Sequence, residues 1–303
     1  MQLSPVALFV YNRIWHLQQT MKALQNNLLA QESALFIFSD GPKDTAEQVN
    51  VSEVRRYIRT ITGFKRVTII ERDHNLGLAQ SIITGVTELV SKYGRVIVLE
   101  DDLVTSPYFL QFMNDSLSLY QDEERIICVC GYMYPLGKKY ADTLFLRVCD
   151  SWGWATWKRG WDLFVADDKQ LYDALKTRKL FRKFNLEGVF NFVKMLKAQI
   201  ERKNDSWAIR WYASSLLNDK LSLYPGKTLV ANTGLDCSGR HGGAIDYYKS
   251  ELLNEKVVVK RLPIVENEEV VKGIGFFWNK QRFNLAKKIP GFFRKIKRSW
   301  LKK

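Results

Sequence analysis

Four largely apolar runs, each followed by polar residues, constrain this chain more than any other feature. Pro5 to Tyr11, Leu35 to Phe38, Val67 to Ile70 and Val96 to Leu99 carry no polar alternation. That is the pattern of strands buried on both faces. Between them Trp15, Leu17, Met21 and Leu24 recur at helical spacing, and Val49 to Ile61 and Leu78 to Val90 also read as helices. Strands alternating with helices specify a mostly parallel sheet flanked by helices. In such sheets ligands collect beyond the carboxyl ends of the strands. Asn12-Arg13, Ser39-Asp40, Asp73 to Gly77 and Glu100 to Asp102 all fall there.

After about residue 125 the pattern loosens. Ile126 to Cys130, Leu221 to Tyr224 and Thr228 to Val230 are short strand candidates, and Asp168 to Lys203 reads as largely helical and basic. Asn232 to Gly243 holds four glycines and reads as a loop. The 303 residues are 46% apolar, enough for a substantial core. A net charge of +14 is located mainly in one place: ten Lys or Arg and no Asp or Glu lie between Asn279 and Lys303, leaving about +4 for the rest. Cys128, Cys130, Cys149 and Cys237 match no zinc spacing and no disulfide framework. We expect structural thiols in a reducing compartment. Val6 to Val10 is too short for the apolar segment of a signal peptide, and no 18-residue apolar run exists. The expected location is cytoplasmic.

Glu100, Asp101 and Asp102 are three adjacent carboxylates at the end of the fourth run. Buried carboxylates are costly unless something positive compensates them. In extended geometry Glu100 and Asp102 point one way and Asp101 the other. A pair of converging carboxylates suits Mg²⁺ or Mn²⁺, which often bind together with substrate phosphates. A solvated turn or a helix cap before Ser106-Pro107 explains the cluster equally well. No GxxxxGK[ST] or GxGxxG loop is present, so a bound nucleotide would depend on a cation and basic side chains.

The ordered set PVALFVYNR, FSDGPK, NLGLAQSIITGV, VIVLEDDLVTSPYFL, DSWGWATWKRGW and NDSWAIRW resembles bacterial sugar transferases of the nucleotide-diphospho-sugar (GT-A) fold. It is similar to glycosyltransferase family 2 and, around EDDL, to the N-acetylglucosaminyltransferase I family. The likeness covers roughly residues 4 to 245, and the triplet reads EDD where the commonest family pattern is DxD. The resemblance implies Asp102 as a ligand of Mn²⁺ (or Mg²⁺) held by the donor diphosphate. It implies contacts with donor ribose or sugar for Glu100 and Asp101, and with the nucleotide base for Asp40. Tyr11, Asn12 and Arg13 would hold base and ribose, Asn75 and Gly77 would form the turn near the donor, and Asp205 would be the catalytic base on the acceptor side. Taken on its own residues, Asp205 reads more readily as an N-cap for the helix near Trp207 than as a base; the order of the motifs favours the base.

Trp152, Trp154 and Trp157 are either core residues or an aromatic platform for a sugar. His241, in a Gly-rich loop, is either a surface residue or a third metal ligand or diphosphate contact, with Arg240 beside it as a phosphate clamp. Past Pro290-Gly291, residues Phe292, Phe293, Ile296 and Trp300 share one helical face among Lys and Arg. That is the pattern of an interfacial helix on an anionic membrane. The reading is therefore a catalytic domain over 1–250, divided at 125/126 into nucleotide-sugar and acceptor halves. An extension follows over 251–278, and a basic amphipathic tail over 279–303. The expected activity is inverting, metal-dependent transfer from a nucleotide sugar, a UDP-sugar first, to a hydroxyl of a glycan or lipid-linked acceptor. The expected setting is bacterial surface polysaccharide or lipopolysaccharide synthesis at the inner membrane face, with no nucleic-acid partner. Rivals are a sugar-phosphate nucleotidyltransferase of related fold, and a non-catalytic basic protein that binds membrane or nucleic acid.

Overall fold

A computed structural model describes residues 3–138, 140–236 and 251–287. The apolar runs form β1 (Val6–Val10), β2 (Ala34–Ser39), β3 (Arg66–Glu71) and β4 (Arg95–Glu100), joined by α1 (Ile14–Gln25), α2 (Gln48–Ile58) and α3 (Leu78–Tyr93). These four strands are all parallel, in the spatial order β3-β2-β1-β4. α3 ends where Gly94 adopts a left-handed conformation (φ 76°) and its N–H returns to the Val90 carbonyl at 2.9 Å.

The chain then adds β5 (Leu103–Thr105), α4 (Phe109–Leu119), β6 (Ile126–Cys130), β7 (Thr143–Leu146), β8 (Trp154–Trp157) and the short α5 (Lys158–Trp161). It continues through α6 (Asp168–Thr177), α7 (Phe181–Phe184), α8 (Phe192–Ile200), α9 (Trp207–Leu217), β9 (Leu221–Pro225) and β10 (Val230–Asn232). One eight-stranded sheet runs β3-β2-β1-β4-β8-β6-β9-β7. β8 is antiparallel to both β4 and β6, and β7 is antiparallel to β9. The sheet is therefore parallel in its first half and mixed in its second.

Strand alternation divides the core between two faces. Ala7, Phe9, Phe36, Phe38, Val96, Val98 and Trp154 pack under α3 and α9. Val6, Leu8, Leu35, Ile37, Ile97 and Leu99 pack under α1, α2 and α4. Gly85 lets α3 approach closely, because a Cβ there would meet the stacked rings of Phe9 and Phe38.

Several expectations need adjusting. The Trp-rich segment is strand β8 in mid-sheet, and β5 and β7 are strands with no clear periodic signal. The strand expected over Thr228 to Val230 begins at Val230 and pairs with β5, outside the main sheet. Residues 251–267 fold back on the sheet: Asn267 N–H donates to the Phe145 carbonyl at 2.8 Å, and Arg147 pairs with Glu266 at 2.9 Å. α10 (Glu268–Lys287) runs across position 279, where the sequence reading set the tail apart. Among the described residues no helix is long and apolar enough to cross a membrane. Cys128, Cys130 and Cys149 are buried free thiols. Arg240, His241, Cys237 and the amphipathic tail beyond 287 lie outside the described residues.

Candidate active site

Order β3-β2-β1-β4 means the chain leaves β1 for one side of the sheet and later returns to the other. The crevice between β1 and β4 is thus a topological switch point, the place where open α/β sheets take ligands. Two segments more than 80 residues apart meet there. Arg13, just before α1, donates from Nη2 to Asp101 Oδ1 at 2.6 Å and to Asp102 Oδ2 at 2.7 Å. Tyr11 N–H donates to Asp101 Oδ2 at 3.3 Å, and Thr20 Oγ1 to the Asp101 carbonyl at 2.8 Å. The alternation expected along the triplet stops at Glu100, where β4 ends. Asp101 and Asp102 lie in the turn beyond it and converge on one guanidinium. The compensating positive charge is, in this structure, a side chain.

That compensation is partial. Three carboxylates share one guanidinium, and burial followed by the charges of Asp102 and Asp101 pushes the Glu100 carboxyl up to about 8. Burial pushes Asp101 up to about 6, with Arg13 opposing it. Burial works against the charge of Arg13, but the charges of Asp101 and Asp102 outweigh it and raise its pKa. Among the described residues no group of three or more His, Cys, Asp or Glu could form a metal cage. The surplus of negative charge does fit a hard divalent cation that takes one or two carboxylates and completes its shell with substrate phosphate. Asp102 and Asp101 are the residues that would hold it.

β10 leads into a cover over this pair. Thr233 donates to the Asp102 carbonyl from its N–H at 2.8 Å and its hydroxyl at 3.0 Å. A Cβ on Gly234 would overlap Asp102 Oδ2, so only glycine lets the backbone pass this close. His16 Nε2 lies 3.0 Å from Asp236 Oδ2 and ties the next residues of the segment to α1.

Asp40, at the end of β2, is buried and faces inward. Its carboxylate accepts the N–H groups of Gly41 (3.1 Å), Leu76 (2.9 Å) and Gly77 (2.9 Å). Asn75 Nδ2 returns the link to the Gly41 carbonyl at 2.8 Å. Gly77 has φ 75°, a left-handed conformation that favours glycine. Asp40, Asn75 and Gly77 are thus one bracket joining β2 to the start of α3. Beside it the Tyr11 hydroxyl accepts from Lys43 N–H at 3.0 Å, and Asn12 Nδ2 donates to Glu47.

Trp154 and Trp157 correct the platform reading: they are 0% and 4% exposed. Trp154 stacks on Trp207 at 5.0 Å, and Trp157 donates its indole N–H to the Leu117 carbonyl at 3.1 Å. A ring with no free face cannot carry a sugar. Trp152, half-buried and edge-on to Tyr132 at 4.6 Å, is the one member of the trio outside the core. Nearby, burial pushes the Asp150 carboxyl up to about 6, against the N–H groups of Trp152 and Ser151.

Asp205 does not cap α9. Ser206 does, accepting from Ile209 N–H at 3.4 Å. Asp205 instead accepts from Arg210 Nη2 at 3.0 Å, with its side chain 52% exposed. Trp154 opens β8 opposite Val98, two residues before Glu100, and Trp207 stacks on it. Asp205, two residues before Trp207, therefore lies toward the same end of the sheet as the acidic triplet.

The residues that sequence reasoning missed are Thr20, Glu47, Thr233, Gly234, His16 and Asp236. Each acts through one long-range contact, for which a single sequence carries no signal. The glycine of Asn232-Thr-Gly234 is the exception, since glycines there mark a close approach of backbone.

No protein-family model matches the chain, and no curated protein does. Among solved structures it is similar to a mannosyltransferase of Pyrobaculum calidifontis in complex with GDP-Man and Mn²⁺. That likeness has a TM-score of 0.40 at 10% identity, covering 71% of this chain and 70% of that one. It is also similar to S. aureus TarS 1–349, with a TM-score of 0.41 at 11% identity, covering 76% of this chain and 60% of that one. Against a second TarS structure the TM-score is 0.29 at 12% identity, and the chain spans 23% of its length. Likenesses this distant carry no argument about what this chain does.

Proposed function

We propose that this chain is an inverting, metal-dependent glycosyltransferase that uses a nucleotide-diphosphate sugar, a UDP-sugar first. The observation that carries the reading is the meeting of Arg13, Asp101 and Asp102 in the β1–β4 crevice. Its surplus of negative charge would recruit the divalent cation that a chain without a Gly-rich loop needs to hold a diphosphate. A divalent ion, held by Asp102 and Asp101, would stabilise the negative charge developing on the departing diphosphate. Arg13 is a second cation in reach of the same phosphates. The Asp40 bracket fixes the β2 end and the start of α3 as a rigid wall on the base side.

Asp205 takes the proton from the acceptor hydroxyl as the new C–O bond forms and the bond to diphosphate breaks with its electron pair. A base in this role is worth roughly 10²–10⁴-fold in rate. Its partial exposure and its freedom from helix capping leave it available for that contact. A glycan or lipid-linked acceptor of bacterial surface polysaccharide belongs to the same proposal. So does attachment to the inner membrane face through the basic tail.

The test is a thermal-shift series with UDP, GDP, ADP and CMP, each with and without MnCl₂, on wild type and Asp102→Asn. We expect one nucleoside diphosphate to raise the unfolding midpoint of wild type only when Mn²⁺ is present, and Asp102→Asn to lose the effect. No stabilisation of wild type by any of them, with or without metal, overturns the reading.

A further inference from the structure

A cavity of about 510 Å³ opens beside Asp205, between the start of α6, the end of α8 and the start of α9. We propose that it is the subsite for a neutral, polyhydroxylated acceptor, and that Asp168 and Arg210 are positioning residues for Asp205. The inference rests on the proposed role of Asp205 and adds the acceptor's chemical class. The volume falls within the roughly 300–1,000 Å³ of small-molecule sites. Three carboxylates (Asp167, Asp168, Asp205) face three cations (Lys169, Arg202, Arg210), so the lining carries no net charge. Ala166 and Ile200 are its only apolar members.

That chemistry selects its occupant. Hydroxyl groups donate to the carboxylates and accept from the guanidinium and ammonium groups. A lipid chain would desolvate the same charges and return no hydrogen bonds. A phosphate-bearing acceptor would meet as many carboxylates as cations. The sugar end of an acceptor therefore fits this cavity, whatever it is attached to.

The wall beneath is built as a chain of hydrogen bonds. Gln199, 4% exposed, donates to Asp168 Oδ1 at 2.6 Å and accepts Ser206 N–H at 3.2 Å, which ties the start of α9 into the network. Arg210 donates to both oxygens of Asp168, from Nε at 2.8 Å and Nη2 at 3.2 Å, and from Nη2 to Asp205 Oδ1 at 3.0 Å. Burial opposes the charge of Arg210, but Asp168 and Asp205 outweigh it and raise its pKa. Asp167 caps α6 through Gln170 N–H, which leaves Asp168 in the first helical turn, where negative charge is favoured. Asp205 Oδ2 makes no hydrogen bond among the described residues. One oxygen of the carboxylate is held and the other is left for an acceptor hydroxyl, which is how a base is aimed.

The binding test uses saturation-transfer difference NMR on the full chain, with methyl hexopyranosides and hexose 1-phosphates as probes. We expect transfer to the neutral glycosides, at least a fivefold loss in Ile200→Trp, which fills the cavity, and no loss in Lys272→Ala, an exposed α10 residue that does not line it. Signal unchanged in Ile200→Trp, or seen with the hexose phosphates alone, overturns the subsite. If nucleoside diphosphates stabilise wild type while no glycoside binds, the subsite fails and the donor reading stands. If glycosides bind while no nucleotide does, the donor reading fails by itself.

Positioning is tested by turnover of the nucleotide sugar that gives the largest thermal shift, with the bound glycoside as acceptor. Asp168→Asn should lower kcat at least tenfold with the donor KM unchanged, and Asp168→Glu should restore part of it. Full activity in Asp168→Asn, or a loss confined to donor KM, overturns the role.

Discussion

Replacing Glu100 with Gln should flatten the dependence of stability on pH between about 5 and 8. Glu100 closes β4 beside two further carboxylates, and burial and their charges raise it from 4.5 to about 8 in the fold. Across that window the folded chain keeps a proton that the unfolded chain has lost. Stability therefore falls as pH rises, by up to ~1.4 kcal/mol per pH unit for this group. Below about 4.5 both states are protonated and the slope vanishes; above about 8 both are ionised and the loss is complete. The ceiling over the whole window is ~5 kcal/mol. Solvent screening at a half-buried group brings the expected change nearer ~2–3 kcal/mol. Asp101, raised from 3.8 to about 6, adds a slope of the same sign over its own lower window. Urea unfolding followed by tryptophan fluorescence at pH 5, 6.5, 8 and 9 measures the difference. Glu100→Gln should gain on wild type by ~2–3 kcal/mol between pH 5 and 9. Parallel curves, or a wild type that gains on the variant as pH rises, would refute the electrostatics assigned to the triplet.

Arg13→Ala leaves two carboxylates without their cation and should cost about 2–4 kcal/mol at pH 8. The loss should shrink at pH 5 as the carboxyls take up protons, and urea midpoints at the two pH values check this. Asp40→Ala strips the acceptor from three backbone N–H groups and should cost about 3–5 kcal/mol. Calorimetry would show it as a fall in unfolding midpoint. Trp154→Ala removes a fully buried ring and should cost about 3–5 kcal/mol. A sugar platform would instead show intact stability with weakened glycoside binding.

The parallel half of the fold was legible because β1, β2 and β4, unlike the half-buried edge strand β3, are buried on both faces. Such strands must be continuous apolar runs, and Val6–Val10, Ala34–Ser39 and Arg95–Glu100 agree with the reading to within two residues at either end. The same rule places polar residues at the strand ends, so Arg13, Asp40 and the acidic triplet stood out together. The mixed half was not legible. β8 is four residues long, and its two Trp read equally as core or as a sugar platform until a sheet and α9 are seen to enclose them. Its insertion between β4 and β6 is decided by packing, not by local sequence. The link from Arg13 to Asp101 and Asp102 spans 88 and 89 positions, and no spacing rule reports such a pairing. Sequence reasoning asked for a cation at the triplet without finding the one already on the chain. At Asp205 the cap reading gives way to its neighbour, because Ser206 takes the cap.

The central claim is that the β1–β4 crevice binds a nucleoside diphosphate together with a divalent ion. Its most direct test is isothermal titration of UDP, or whichever nucleoside diphosphate gives the largest thermal shift, into the full chain in the presence of MnCl₂. The same titration is run on Asp102→Asn. We expect saturable one-to-one binding by wild type, lost at least tenfold in the variant and abolished by EDTA. Equal affinity in the two proteins, or binding indifferent to EDTA, would contradict the account.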